Sequence, residues 1–308
     1  MKILLTGGAG MLGRAILRLA HTIQPDFQMI APLRSELNLL DRAAVQRYFQ
    51  QNKCDAIIHC AAKVGGIKAN IDDPIGFMTE NILISTHLIE EARLHHISRL
   101  INIGSSCMYP RDYQGILSED AILTAPLEPT NEAYAIAKIA AAKLCQYISD
   151  KHGFAYRTFI PCNLYGQDDN FDTNTGHMIA AAIAKIHAAH QNGDIDVEIW
   201  GNGTVRREFL YADDLATFIL NSIPRLELCP QNLNCGLGFD LSVNEFYQII
   251  ANVIGFKGRF IHNLDKPVGM KNKLMNIDKA KSFGWHPSTD LYQGIENTYS
   301  SYLRIFAN

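Results

Sequence analysis

The stretch Lys2-Ile3-Leu4-Leu5-Thr6-Gly7-Gly8-Ala9-Gly10-Met11-Leu12-Gly13 decides the fold, because it takes the chain from an apolar run through a glycine turn into a helix. Residues 2–6 read as a short buried strand, and Ala15, Ile16, Leu17, Leu19 and Ala20 then follow at helical spacing. Backbone N–H groups at such a helix N-terminus can hold a pyrophosphate. The spacing of Gly7, Gly10 and Gly13 is weak on its own, since about 7% of any chain is glycine. Its place between a first strand and a first helix makes it a dinucleotide fingerprint.

Working outward, segment 29–33 reads as a second strand that ends in Arg34 and lacks an Asp or Glu to take a ribose 2′-hydroxyl. An arginine there suits a 2′-phosphate, so NADP(H) is expected rather than NAD(H). Segment 55–62 is a third strand running into Ala61 and Ala62, small enough for a dinucleotide to lie against the backbone, and His59 within it reads as a packed histidine. A long amphipathic helix over 74–94, a strand over 99–103, a helix opening near 133 and a strand over 155–161 continue the alternation. Such alternation gives an α/β fold, a Rossmann-type doubly wound parallel sheet with ligands at the strand C-terminal ends. The candidate cofactor contacts are Gly7, Gly10, Met11, Leu12, Gly13, Arg34, Asn38, Leu39, Ala61, Ala62, Ile103, Gly104, Ser106, Pro161, Asn163 and Leu164.

Past residue 166 the pattern breaks into a polar stretch over 167–177. A helix over 178–189, a strand over 197–200 and helices near 243–254 and 289–305 read as a smaller C-terminal substrate-binding lobe, partly interleaved with the sheet. The expected division is an NADP-binding domain at 1–166 and the lobe at 167–308.

Composition bounds the function classes. The 308 residues are 47% apolar and 19% charged, with a formal net charge of -3 and no Lys/Arg-rich run, which argues against a nucleic-acid partner. No signal peptide is legible and no segment approaches the ~20 apolar residues of a membrane span, so a soluble cytoplasmic protein is expected. Seven cysteines without a Cys-x-x-Cys pair signal neither a disulfide framework nor a zinc site, and no metal is expected. Six of them read as packed small residues. Cys107 differs by its position.

The chemistry gathers around Gly104-Ser105-Ser106-Cys107-Met108-Tyr109-Pro110, which leaves the fourth strand, and around Tyr134 and Lys138 on the next helix. Four residues apart, the phenol and amine share a helix face with Cβ atoms about 5–6 Å apart. A lysine cation near a phenol should pull its pKa down from about 10, making Tyr134 a proton donor to a carbonyl under reduction. Ser105 would donate to the same oxygen. Tyr147 and Lys151 repeat the spacing, but lie about 20 Å further down the helix at roughly 1.5 Å per residue, and read as surface.

These residues resemble the extended short-chain dehydrogenase/reductases that act on nucleotide sugars, and more closely the GDP-L-fucose synthase family. The resemblance is carried by Leu39-Leu40-Asp41, Lys63-Val64-Gly65-Gly66-Ile67, the Ser105 turn, Glu128-Pro129-Thr130-Asn131-Glu132, the Tyr134 helix, Asn163-Leu164-Tyr165-Gly166, Asp169-Asn170-Phe171, Trp200-Gly201 and Arg207-Glu208-Phe209-Leu210. It implies an NADPH-dependent 3,5-epimerase and 4-reductase that turns GDP-4-keto-6-deoxy-D-mannose into GDP-L-fucose. By position, Ser105, Tyr134 and Lys138 match the reductase set and Cys107 and His177 the epimerase acid/base pair. Lys185, Trp200, Arg207 and Lys273 fall where the family holds the nucleotide diphosphate and sugar. A homodimer is implied as well, in keeping with the long helices near 74–94 and 133–152.

Departures from the family pattern bear on the sugar. Val268 stands where an aspartate is usual, Thr175-Gly176-His177 replaces Asn-Ser-His, Ala180 replaces a proline and Cys162 a threonine. A 4-reductase of a related GDP-4-keto-6-deoxy sugar such as a heptose, with or without epimerisation, is therefore the alternative. A dinucleotide-sensing regulator without turnover would not need both Tyr134 and Lys138. A nucleotide-sugar 4-epimerase shares Ser, Tyr and Lys, but has no use for Cys107 with His177 and favours NAD.

Overall fold

The computed structural model describes residues 1–173, 175–266, 270 and 273–306. Strand β1 (Lys2–Thr6) runs into the glycine turn, and α1 (Met11–Ile23) starts with Gly10 as its N-cap. Next come β2 (Gln28–Ile30), α2 (Arg42–Gln51), β3 (Ala56–His59), α3 (Ile67–Asp72), α4 (Pro74–Leu94), β4 (Arg99–Ile103), α5 (Glu132–His152) and β5 (Ala155–Pro161). The remainder holds β6 (Asn163–Tyr165), α6 (Met178–Asn192), β7 (Asp196–Trp200), β8 (Arg206–Arg207), β9 (Phe209–Tyr211), α7 (Ala212–Ser222), β10 (Asn232–Cys235), β11 (Leu241–Ser242), α8 (Val243–Ile254), β12 (Arg259–Asn263), α9 (Asp278–Ser282) and α10 (Leu291–Phe306).

Six strands form one parallel sheet in the order β10-β5-β4-β3-β1-β2. The chain winds one way from β1 to β2 and the other way from β3 onward, so the switch point lies between β1 and β3, where open parallel sheets bind ligands. There the backbone of the glycine turn meets the end of β3. Gly7 has φ +75°, and a Cβ on it would lie 2.6 Å from the Ala61 nitrogen, so no other residue fits. Thr6 pairs with His59, His59 with Asn102, and Ile103 with Phe159, which aligns the strand ends beside one another.

Alternation along the strands sends side chains to two cores. Leu4, Ile57 and Leu100 pack with Val45, Phe49, Leu88, Ile89 and Cys145 under α2, α4 and α5. Ile3, Leu5, Ile58 and Ile101 pack on the other face with Ile16, Leu215 and Ile219 under α1 and α7. A third cluster, including Ile183, Ile186, Ile199, Phe209, Phe246 and Ile250, builds the C-terminal lobe. His59 is buried between Thr6 Oγ1 at 2.8 Å and Ser85 Oγ at 3.3 Å, a packed histidine.

Some boundaries differ from expectation. The strand expected over 29–33 stops at Ile30, because Pro32 has no N–H and Leu33 turns to donate to Glu36 Oε2 at 2.7 Å. The strand expected over 55–62 ends at His59, and only Cys60 N reaches on to the Thr6 carbonyl. Helix α6 runs past 189 to Asn192, ended by Gly193 at φ +73°. The sixth strand, β10, was not expected because Asn232 and Asn234 break its apolar pattern. Asn234 is nevertheless buried, with its amide donating to the carbonyls of Leu117 and Asn276 and its backbone N–H donating to Glu119.

Candidate active site

A continuous cleft of about 1360 Å³ runs from the glycine turn across the strand ends into the lobe. No side chain caps α1 and its first turn carries no acidic residue, so the N-terminal N–H groups of Met11, Leu12 and Gly13 stay open to an anion on the cleft wall. Arg34 is exposed on the rim of the cleft, with Asn38 and Leu39 beside it. Ala61, Ala62, Ile103, Gly104, Pro161, Asn163 and Leu164 complete this end, and together these residues fit a dinucleotide bearing an extra phosphate. Ser106 is the exception among the expected contacts. It opens the short 3₁₀ turn Ser106–Met108 and is buried within it, off the cleft wall.

Past the dinucleotide end, the Ser105 turn leaves β4 and faces the N-terminal half of α5. Ser105 Oγ accepts from Cys107 N at 3.2 Å, which presents the thiol from the same turn. Lys138 is buried, donates to the Ile103 carbonyl at 2.8 Å and lies 5.7 Å from the Tyr134 ring centroid. Burial pulls the Lys138 ammonium down to about 8. The expectation that lysine lowers the Tyr134 pKa is overturned: burial, reinforced by Cys107, pushes the phenol well above its ordinary value, and a hydrogen bond to Ser105 opposes this only in part. Tyr134 therefore holds its proton throughout the neutral range, as a proton donor must. Tyr147 is 63% exposed and, with Lys151, lies outside the cleft.

On the lobe side, His177 is the N-cap of α6 and lines the same cleft. Burial and then the charge of Lys273 lower its pKa, so the imidazole is neutral at pH 7. Its loop is held by Asp172 Oδ1, which accepts from Thr175 N at 2.8 Å and Thr175 Oγ1 at 3.0 Å. A Cβ on Gly176 would lie 2.2 Å from the Asn170 carbonyl oxygen, so this loop cannot carry the serine usual in the family without moving. Thr175 O in turn accepts from Gly66 N at 3.2 Å, tying the two loops together.

Cys107 Sγ receives Asn131 Nδ2 at 3.1 Å and Lys273 Nζ at 3.5 Å. Arg207 donates to the carbonyls of Arg206 at 2.8 Å and Met270 at 2.6 Å, and burial lowers its pKa. At the outer end the Trp200 ring lies 5.4 Å from both Lys185 Nζ and Lys266 Nζ. Neither Asn131 nor Lys266 was singled out from the sequence as a functional residue. Asn131 stands in the 128–132 stretch that carries the resemblance, and Lys266 opens the segment in which Val268 replaces the usual aspartate.

The departures sort differently in space. Cys162 lines the cleft, but Ala180 is fully buried among Ile179, Ile183 and Phe246 in the lobe core, off the cleft wall, so the expectation that it shapes the sugar pocket is corrected. Val268 lies outside the described residues.

A parallel dinucleotide sheet with serine, tyrosine and lysine at its strand ends defines an NAD(P)-dependent oxidoreductase of the short-chain type, and the chain belongs to the NAD dependent epimerase/dehydratase family, whose model matches residues 3–236. It is 48% identical over 304 residues to the GDP-L-colitose synthase of Yersinia pseudotuberculosis, covering 98% of each chain. It is 44% identical over 302 residues to the GDP-L-fucose synthase of Azorhizobium caulinodans, covering 98% of this chain and 96% of that one. Among solved structures, the GDP-mannoheptose C4 reductase of Campylobacter jejuni with NADP bound superposes with a TM-score of 0.88 at 28% identity, covering 98% of both chains.

Proposed function

We propose that the chain is an NADPH-dependent epimerase-reductase that converts GDP-4-keto-6-deoxy-D-mannose to GDP-L-fucose, by inversion at C3 and C5 and then reduction at C4. The observation that carries this reading is the convergence of Ser105, Tyr134 and Lys138 with Cys107 and His177 on one cleft. Reduction alone needs only the first three. A thiol and a neutral imidazole beside them supply the second pair of proton-handling groups that inversion requires. In this reading residues 1–166 hold the cofactor and 167–308 the sugar nucleotide.

Bound NADPH supplies the hydride to C4. Tyr134 donates its proton to the ketone oxygen, and Ser105 holds that oxygen as charge develops. Lys138 fixes the phenol side of the site through the Ile103 carbonyl. Cys107 and His177 remove and return protons at the carbons flanking the ketone, one on each face. Lys185, Trp200 and Arg207 hold the GDP moiety, with cations for the diphosphate and an aromatic ring for stacking. The same reading places the enzyme in the cytoplasm as a homodimer. No helix among the described residues is long and apolar enough to cross a membrane, and α4 and α5 expose Ile75, Leu83, Ile136 and Tyr147 on one side of the sheet.

The test supplies NADPH with GDP-4-keto-6-deoxy-D-mannose, with its 3-deoxy counterpart, and with a GDP-4-keto heptose, and identifies the products by NMR. GDP-L-fucose from the first substrate at the highest kcat/KM is expected. The 48% identity to a colitose synthase favours a second reading, since colitose is the 3-deoxy counterpart of fucose. A tenfold preference for the 3-deoxy ketone would install that reading, and a preference for the heptose would displace both.

Arg34 offers an independent check on the cofactor. A charge-assisted contact to the 2′-phosphate contributes about 1.5–3 kcal/mol, so NADPH should bind at least about tenfold more tightly than NADH. Fluorescence titration of the wild type and Arg34→Ala would read it. Equal affinities in the wild type, or a preference that survives the substitution, would remove Arg34 from the cofactor site.

A further inference from the structure

The resemblance puts Lys273 with the diphosphate, but its position points elsewhere. The Lys273 side chain is buried, and Cys107 Sγ, 3.5 Å from Nζ, is its one hydrogen-bond partner among the described residues. An ammonium withdrawn from water is unfavourable unless an anion faces it. The group facing this one is a thiol, which becomes an anion when it gives up its proton. Asn131 Nδ2 approaches the same sulfur at 3.1 Å from the start of α5. The Arg207 guanidinium adds to the positive field at Cys107, while Tyr134 beside it remains a neutral phenol. Glu128 is the buried carboxylate on this wall, and it accepts from Thr130 Oγ1 at 3.2 Å. On the opposite side His177 is neutral, so it adds no charge at the sulfur.

We propose that Lys273, assisted by Asn131, is a positioning residue of the proton-transfer site that stabilises the thiolate Cys107 becomes on giving up its proton, and that the diphosphate is held instead by Lys185 and Lys266 around Trp200. The two latter ammonium groups share the Trp200 ring at 5.4 Å each, and Lys273 makes no such contact. This rests on Cys107 being an acid/base group of the reaction proposed above. In the step it serves, the S–H bond breaks, its proton joins the enolate carbon through the enolate's electron pair, and the sulfur is left as a thiolate beside the ammonium. In the reverse sense the thiolate takes a C–H proton, and the pair left on carbon moves to the ketone oxygen.

The test reads the sulfur directly. Alkylation of Cys107 by iodoacetamide is followed from pH 5 to 10 by mass spectrometry of its peptide, because only the thiolate reacts. Replacing Lys273 by Met should raise the midpoint by about one pH unit, a tenfold slower reaction on the acid side of the profile. Lys273→Arg should restore most of the shift, and Asn131→Ala should move it the same way by less. GDP affinity, measured by calorimetry on the same proteins, should stay within twofold of wild type. An unshifted midpoint overturns the proposal, and so does a tenfold loss of GDP affinity, which would return Lys273 to the diphosphate. Unchanged NADPH binding certifies that a variant is folded, and Lys273→Gln serves if the methionine variant fails that check. None of these readouts needs turnover, so failure of the sugar assays and failure of this inference are distinguishable.

Discussion

Tyr134→Phe lowers turnover of the keto sugar about 10²-fold or more, while Tyr147→Phe leaves it nearly unchanged. The two tyrosines lie on one helix at the same spacing from a lysine, and only their surroundings separate them. Tyr134 is in the cleft with Ser105 and Cys107, and its pKa is pushed far enough up by burial that the proton is present at every working pH. Tyr147 is 63% exposed. Removing the Tyr134 hydroxyl takes away the proton that neutralises the developing alkoxide, and water has no equivalent place to stand. NADPH affinity should change little, which separates lost chemistry from lost binding. The pH profile adds a second readout: Lys138 loses its proton near 8, so kcat/KM for reduction should fall as pH rises through about 8. Equal damage from the two tyrosine substitutions would put the reducing centre elsewhere on α5.

Run in deuterated water with NADPH, the wild-type enzyme should give GDP-L-fucose carrying deuterium at C3 and C5, and Cys107→Ser should suppress that labelling about 10²-fold or more. A serine hydroxyl fits the site but gives and takes protons far less readily than a thiol that Lys273 and Asn131 approach at 3.5 and 3.1 Å. His177→Ala should suppress the labelling as well, since one face of the sugar then lacks its proton-handling group. Because the neutral imidazole must take a proton against the field of Lys273, the labelling rate should fall as pH drops and His177 becomes cationic. NADPH binding should survive both substitutions. Product formed by the wild type without deuterium at either carbon would reduce the enzyme to a plain 4-reductase.

Local pattern alone determined the parallel sheet, the dinucleotide turn and the helix that carries Tyr134 and Lys138. These depend on neighbours in sequence: an apolar run, a glycine where β1 turns beside β3, a phenol and an amine one helical turn apart. Pro74–Leu94 and Ala155–Pro161 fall where a helix over 74–94 and a strand over 155–161 were expected, and Pro74 opens the first. Tertiary structure decided what depends on residues far apart in the chain. The strand Asn232–Cys235 was not legible, since its asparagines look like a loop until Leu117, Glu119 and Asn276 arrive to satisfy Asn234. The direction of the Tyr134 shift was misread because helical spacing gives the distance to a lysine but not the burial, and burial outweighs that charge here. The place of Lys273 was likewise invisible: 166 residues separate it from Cys107, and only the packing of the C-terminal lobe over the strand ends brings a buried ammonium to a thiol.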